Sequence, residues 1–326
     1  MKTIVLFLSL LLAGICPCVA QSPAYTAAYA TLQAMLTGKQ KPDFQHAVFV
    51  VENAWFGNTL NKAQFNQQLS TVAQTCQRMV RQKNLQQHKT AGNWAIFMWM
   101  TQKVPENGNQ PLRYDFEDFT GKANFANTFV TRVLQDHKGN CLSLPLLYKC
   151  LAQQVGVEAR LTLGPSHAWI RHLDEEGKWA NVELTSGQLP SDGLMMTELG
   201  ISTEAIKSGA YFKPLTEQET LAFLLTQLAL GYEHKFGHLD AFTERCTDLS
   251  LAYFRPNVVA YMLKANYLAH KSQKLLASKK ATRPELDKLH QQYVRYQTKL
   301  RTLGANPLSA QTYTQWVSSI QARPTK

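Results

Sequence analysis

A cysteine and a histidine in this sequence stand where they can act together as nucleophile and base. Cys141 follows Gly139-Asn140 and precedes an apolar helical stretch. We expect it at the first turn of a helix, where the positive helix end favours a thiolate and free N–H groups can receive an oxyanion. His167 opens a strand-like segment. A neutral imidazole beside Cys141 can take the thiol proton and later return it to a leaving amine.

A histidine in this role needs a partner on its other ring nitrogen to fix its tautomer and orientation. The next strand-like segment, 178-KWANVEL-184, offers Asn181 and Glu183. The two residues are two positions apart and therefore lie on one face of a strand. Either side chain can serve, and the spacing alone leaves the choice open.

The elements that must position these residues form a helix followed by an antiparallel meander. The apolar helix after Cys141 ends near Gly156, and strands are predicted at 157–163, 166–173 and 178–184. Turn residues separate the strands. A helix that leads into such a meander is typical of an α+β fold.

Helical patterns flank this core on both sides. Phe65, Leu69, Val72, Cys76 and Val80 form one apolar stripe at helical spacing. We divide the chain into a processing segment 1–20, an N-terminal helical region 21–104, a core 105–214 and a C-terminal helical region 215–326.

The C-terminal region contains a succession of helices. Thr216 and Glu219 have the spacing of a capping box that starts the first of them. Further helices are predicted at 238–254, 257–278, 283–303 and 308–320. Their pairing at a period of roughly 34 residues is similar to the tetratricopeptide pattern, so we expect a tetratricopeptide-like arrangement.

The N-terminus is typical of a secretory signal peptide. Lys2 precedes an apolar run, and Cys18-Val19-Ala20 ends in a small residue before Gln21. We therefore expect an exported protein, periplasmic or extracellular. In an oxidising compartment one disulfide is permitted, and with Cys141 kept free we expect Cys76 and Cys246 to form it.

The formal charge of +11 is concentrated near the C-terminus. From Lys264 onward, twelve Lys and Arg residues stand against Glu285 and Asp287. Basic helices of this kind can contact an anionic surface or partner, or can be solvated. Nothing in the chain resembles a nucleic-acid-binding module. The proposed chemistry needs no cofactor, and we expect no metal site, because Glu233, His234 and His238 do not have the H-E-x-x-H spacing.

Four sequence blocks around the candidate residues resemble, in order, the core pattern of the transglutaminase-like superfamily. They are Gly139-Asn140-Cys141, Gly156-Val157-Glu158-Ala159-Arg160, His167-Ala168-Trp169-Ile170 and Trp179-Ala180-Asn181-Val182-Glu183-Leu184-Thr185. The family usually has Asp where Glu183 stands and Pro where Leu184 stands. Glutamate is a carboxylate one methylene longer, which can still accept a hydrogen bond from His167.

The resemblance implies a papain-like core, with the nucleophile on a helix and the histidine and carboxylate on adjacent strands. It implies a catalytic triad of Cys141, His167 and Glu183, with Asn181 as the alternative third member. It implies acyl transfer at an amide bond, either peptide or isopeptide hydrolysis or transamidation, on a protein or peptide substrate such as a cell-wall peptide. The family's side-chain oxyanion donor has no counterpart in these blocks, and His137 and Asn140 are the candidates. The whole chain also resembles bacterial exported proteins that join such a core to tetratricopeptide-like flanks.

Two other functions remain open from sequence alone. The chain can be an inactive relative that binds a peptide without turnover, or a scaffold that acts through its C-terminal helices. The intact cysteine, histidine and carboxylate favour an enzyme. Hydrolysis is favoured over transamidation, because water is always present whereas an acceptor amine needs a site of its own.

Overall fold

The computed structural model describes residues 22–279 and 281–305 of the 326-residue chain. The processing segment 1–20 and the helix predicted at 308–320 lie outside the described residues. Within them the fold is mixed, with many helices around two small sheets, which confirms the expected α+β class. No helix in the described part is both long enough and apolar enough to cross a membrane.

The N-terminal region is helical, as predicted. Its helices are α1 (Pro23–Leu36), α2 (Phe44–Trp55), α3 (Lys62–Gln82) and α4 (Ala91–Thr101). Polar caps set where two of them begin, because the side chains of Asp43 and Asn61 accept backbone N–H groups in the first turns of α2 and α3. The predicted stripe of α3 is the face that enters the core, where Phe65, Leu69 and Cys76 are buried.

The core region follows. Its elements are β1 (Arg113–Tyr114), α5 (Val130–Asp136), β2 (Lys138–Gly139), α6 (Ser143–Val155), β3 (Arg160–Gly164), β4 (His167–Leu173) and β5 (Trp179–Val182). Helix α6 is central, since it packs against α2, α3, α4 and α5 and also against β3 and β4. Its residues Leu147, Tyr148 and Leu151 are fully buried. Gly156 ends α6 with a φ of 85°, a left-handed conformation that favours glycine.

The described residues contain two sheets, of which the sequence predicted one and missed the other. Strands β3, β4 and β5 form the predicted antiparallel meander, in which Gly164 pairs with His167 and Ile170 pairs with Val182. Strands β1 and β2 form a second, parallel pair that joins Tyr114 to Gly139. Each strand of this pair has only two residues, too few for a recognisable alternating pattern.

Two short helices, α7 (Asp192–Glu198) and α8 (Thr203–Lys207), complete the core region. The C-terminal region contains α9 (Glu217–Phe236), α10 (Ala241–Tyr253), α11 (Val258–Ala277) and α12 (Arg283–Thr302). The predicted capping box is present at the start of α9, where Thr216 and Glu219 bond each other's backbone N–H groups. From α9 to α12, each helix packs on the next. The tetratricopeptide-like character of this region stays a prediction.

The expected Cys76–Cys246 disulfide is wrong. Cys76, Cys141, Cys150 and Cys246 are all free thiols. Cys76 lies on α3, which packs on α4 and α6, whereas Cys246 lies on α10, which packs on α9 and α11. The two thiols are therefore buried beside different helices. Keeping Cys141 free was not a sufficient reason to pair Cys76 with Cys246.

A buried carboxylate ties the N-terminal region to the core. The two oxygens of Glu52, on α2, accept the N–H groups of Val130 and Thr131 at 2.7 and 2.9 Å and thereby satisfy the start of α5. Burial raises the pKa of Glu52 to about 7, although these hydrogen bonds oppose the rise. The folded protein therefore binds a proton at Glu52 more tightly than the unfolded chain does.

Because the pKa of Glu52 is raised, stability should fall as the pH rises from about 4.5 to about 7 and should then stop falling. We expect this fall to be on the order of 3 kcal/mol in the free energy of unfolding. It should be absent in Glu52→Gln and retained in Glu285→Gln, which changes an exposed cap of α12. Urea unfolding at a series of pH values measures it. An unchanged pH profile in Glu52→Gln would show that this carboxyl does not titrate there.

Candidate active site

Cys141 lies in the tight turn that leads from β2 into α6. It is two residues before the first residue of the helix and is 8% exposed. Its Sγ donates to the carbonyl oxygen of Ser166 at 3.8 Å. Cys141 stands at the beginning of α6, because the N–H of Leu144 already donates to the carbonyl oxygen of Asn140 at 3.2 Å. Its thiol lies beside the start of β4.

The neighbours of Cys141 fix the geometry of this turn. The Oδ1 of Asn140 accepts the N–H groups of Leu142 and Ser143, each at 2.9 Å, so Asn140 caps α6. In return, Ser143 Oγ accepts the N–H of Asn140 at 2.9 Å. Gly139 allows this close approach, since a Cβ there would lie 2.7 Å from Ser143 Oγ and from Val133 Cγ2. The block Gly139-Asn140-Cys141 is therefore a turn that holds a thiol in place.

The capping by Asn140 corrects one expectation from the sequence. Two of the helix N–H groups expected to receive an oxyanion, those of Leu142 and Ser143, are already bonded to Asn140. Asn140 itself is 2% exposed and does not line the cavity into which Cys141 opens. His137, the other candidate oxyanion donor, is exposed at the C-terminal end of α5. Neither residue is well placed for the donor role.

His167 and Glu183 form a buried pair. His167 Nε2 lies 2.6 Å from Glu183 Oε2, and the side chains are 0% and 5% exposed. The antiparallel register of β4 and β5 places them on the same face of the sheet. The second oxygen of Glu183, Oε1, accepts the N–H of Thr185 at 2.7 Å, which fixes the carboxylate plane. His167 also forms a side-chain hydrogen bond with Cys141.

The charges of this pair stabilise each other. Burial by itself would lower the pKa of His167, but the charge of Glu183 and the hydrogen bonds from Cys141 and Glu183 outweigh it, so the pKa is raised above 6.5. Burial would raise the pKa of Glu183, but His167 and Thr185 together lower it below 4.5. An imidazolium is therefore favoured beside the carboxylate, with Cys141 on the histidine's other side.

A two-residue turn connects β3 to β4 and sets the start of the histidine strand. It consists of Pro165 and Ser166, between the paired residues Gly164 and His167. Proline fixes its own φ near −65°, and Ser166 has a φ of 52°, the combination of a type II turn. The turn presents the carbonyl of Ser166 to Cys141 and places His167 next to it along the chain.

Asn181, the alternative third member, is bonded elsewhere. Its Oδ1 accepts the indole N–H of Trp169 at 3.0 Å, and its Nδ2 donates to Asp192 at 2.7 Å. Trp169 is fully buried, and its ring stacks on His167 with centroids 6.1 Å apart. The structure thus brings Glu183 to the imidazole edge, while Asn181 holds the tryptophan that packs on the imidazole face.

Cys141 and His167 open into a cleft of about 640 Å³, hereafter the cleft. Its opposite walls come from the C-terminal helices, with Phe223 and Gln227 from α9, Met262 from α11, and Leu300 and Arg301 from α12. Most of its lining is apolar. Sequence reasoning missed these wall residues, because their distance from Cys141 along the chain gives no local signal that they share its cavity.

Because His167 and Glu183 each stabilise the charged form of the other, their contribution to the free energy of unfolding should be largest over a limited pH range. The lowered pKa of Glu183 contributes stability that is lost as the pH falls below 4.5, and the raised pKa of His167 contributes stability that is lost as the pH rises above 6.5 towards its folded value. We expect Glu183→Gln to lower the free energy of unfolding by on the order of 3 kcal/mol between these values, and by less on either side.

Denaturant unfolding across the pH range measures this window. Glu176→Gln, which changes an exposed carboxylate in the turn between β4 and β5, is the matched control and should leave the profile unchanged. A loss in Glu183→Gln that is the same at every pH would contradict a charged pair.

One of three comparisons with known proteins gives a match to this chain. A family profile described as the transglutaminase-like superfamily matches residues 63–225, half of the chain. The match extends from α3 into α9 and includes Cys141, His167 and Glu183. Neither the curated proteins nor the solved structures contain a match to this chain. The chain belongs to the transglutaminase-like superfamily.

Proposed function

We propose that this protein transfers acyl groups from amide bonds through a thioester on Cys141. The observation that carries the proposal is that His167 is hydrogen-bonded both to Glu183 and to Cys141 at the edge of an open cleft. A family whose members use a cysteine nucleophile is consistent with it. Each group has the chemical type that its step requires, and each is held by hydrogen bonds of its own.

In the first half-reaction, the imidazolium of His167 holds the proton that Cys141 has given up, and the thiolate sulfur attacks the carbonyl carbon of the substrate amide. A C–S bond forms and the carbonyl oxygen becomes an oxyanion. When the intermediate collapses, the C–N bond breaks and the leaving amine takes the proton from His167. Since Nε2 is paired with Glu183, the proton moves through Nδ1 of His167.

In the second half-reaction, water or an amine attacks the thioester. His167 accepts the proton of the attacking molecule, the C–S bond breaks, and Cys141 leaves as a thiolate. We favour water as the acceptor. With water the reaction is the hydrolysis of a peptide or isopeptide bond, and with an amine it is transamidation.

Glu183 and Trp169 act on the histidine in this scheme. The carboxylate stabilises the imidazolium that takes part in each half-reaction and fixes the orientation of the ring. Trp169 packs against its face, and Asn181 holds Trp169 in turn. Glutamate in place of the aspartate usual in the family suits this site because its longer side chain reaches Nε2 at 2.6 Å.

The apolar lining of the cleft supports a peptide or protein substrate with apolar side chains near the scissile amide. We further propose that the protein acts outside the cytoplasm, on the strength of the signal-peptide pattern in residues 1–20. The basic C-terminal helices would suit an anionic partner or surface. Inactive binding without turnover is the alternative that the following experiment separates from catalysis.

The activity of the thiol can be tested without a known substrate. We expect iodoacetamide near neutral pH to label Cys141 at least roughly tenfold faster than a free cysteine thiol, because His167 removes the thiol proton. His167→Ala should remove this advantage, and His172→Gln, a change on the same strand, should leave it. Mass spectrometry identifies the labelled residue.

Acylation is the second readout. p-Nitrophenyl acetate should acetylate Cys141 in the wild type and should leave Cys141→Ala unmodified at this position. Labelling of Cys141 at the rate of an ordinary thiol, together with no acetyl-enzyme, would overturn the enzyme proposal in favour of a binding module.

A further inference from the structure

The structure assigns Gln227, on α9, as the side-chain donor that stabilises the oxyanion at Cys141. The inference rests on the proposed acyl transfer and names a residue outside the segment that the family profile matches, which ends at 225. It also gives the C-terminal region a direct part in the reaction.

The site needs such a donor because the start of α6 supplies fewer N–H groups than a free helix end. Those of Leu142 and Ser143 are bonded to Asn140 at 2.9 Å. With these two N–H groups occupied, an oxyanion that forms next to Cys141 is better stabilised if a side chain elsewhere in the cleft also donates a hydrogen bond to it. An amide NH₂ group is a suitable donor, since it carries two N–H bonds and no charge.

Gln227 lies where this donor is needed. It lines the cleft together with Cys141 and Leu142. It also lines a small adjoining cavity in which Leu142 and Leu146 of the α6 start are the neighbouring walls. The side chain thus lies at the junction between the cleft and the N-terminal end of α6, on the same face of α9 as Phe223 and Leu230.

The side-chain amide of Gln227 is able to donate a hydrogen bond into the cleft. Among the described residues it takes no part in a hydrogen bond, and the side chain is half-buried in an otherwise largely apolar wall. By contrast, the buried amide of Asn257, also in the cleft, is committed, because its Oδ1 caps α11 and its Nδ2 donates to Ser250 Oγ. Asn266, on the exposed side of α11, and Gln297, on α12, also line the cleft, but neither lines the small adjoining cavity.

The test compares two reactions of the same thiol. Attack on p-nitrophenyl acetate develops an oxyanion, whereas alkylation by iodoacetamide occurs at a saturated carbon and develops none. We expect Gln227→Met, which keeps the length of the side chain and removes the donor, to slow acetylation of Cys141 roughly 100-fold. Alkylation should stay within about twofold of the wild type.

Gln218→Met makes the same substitution at an exposed position of α9 and should change neither rate. Unchanged acetylation in Gln227→Met would overturn the assignment, and so would an equal loss of both reactions, which would indicate an effect on the thiol itself. The acetylation and alkylation rates of the wild type test the proposed function separately. If the wild type alkylates rapidly but is not acetylated, acyl transfer fails, and the assignment of Gln227 fails with it.

Discussion

A buried imidazole can hold a charge only if a neighbouring group compensates for the water it has lost, and in this protein that group is Glu183. The 2.6 Å contact between His167 Nε2 and Glu183 Oε2 is inaccessible to solvent on both sides. Without the carboxylate, burial would drive the histidine to its neutral form. The charge of the site, the direction in which the ring points and the access of Cys141 to a base all depend on this pair.

Much of the surrounding structure serves to hold the two residues in register. The turn at Pro165-Ser166 starts the histidine strand beside the thiol, and the pairing of β4 with β5 brings Glu183 to the same face. The N–H of Thr185 fixes one carboxylate oxygen so that the other meets the ring. On the far side, the cap made by Asn140 holds Cys141 at the start of α6. Four separate features, a turn, a strand pairing, a backbone N–H and a side-chain cap, therefore hold Cys141, His167 and Glu183 together.

The sequence predicts those parts of this arrangement whose signals are local. The meander, the helix after Cys141 and the capping box of α9 were predicted from spacing and turn residues, and they are present in the structure. The choice between Asn181, on β5, and Glu183, directly after β5, could not be made from spacing, since the two residues are two positions apart and face the same way. It depends on which of them reaches past Trp169 to the imidazole edge, and that is a matter of side-chain packing.

Long-range packing also explains the other differences between the sequence-based predictions and the structure. Asn140 caps α6 and uses N–H groups that an isolated helix would leave open. The walls of the cleft come from α9, α11 and α12, whose own sequences indicate amphipathic helices and nothing about their distance from Cys141. Cysteines far apart in the chain likewise carry no information about which helices bury them, which is why the pairing of Cys76 with Cys246 was wrong.

The protonation state of His167 is the most direct test of this account. An NMR titration of the imidazole signals, with His167 assigned by its loss in His167→Asn, follows that one ring through the pH range. The account predicts that His167 stays protonated well above its ordinary pKa of 6.5 and that its pKa falls in Glu183→Gln. A wild-type ring that loses its proton at or below 6.5 would contradict the charged pair on which the proposed chemistry depends.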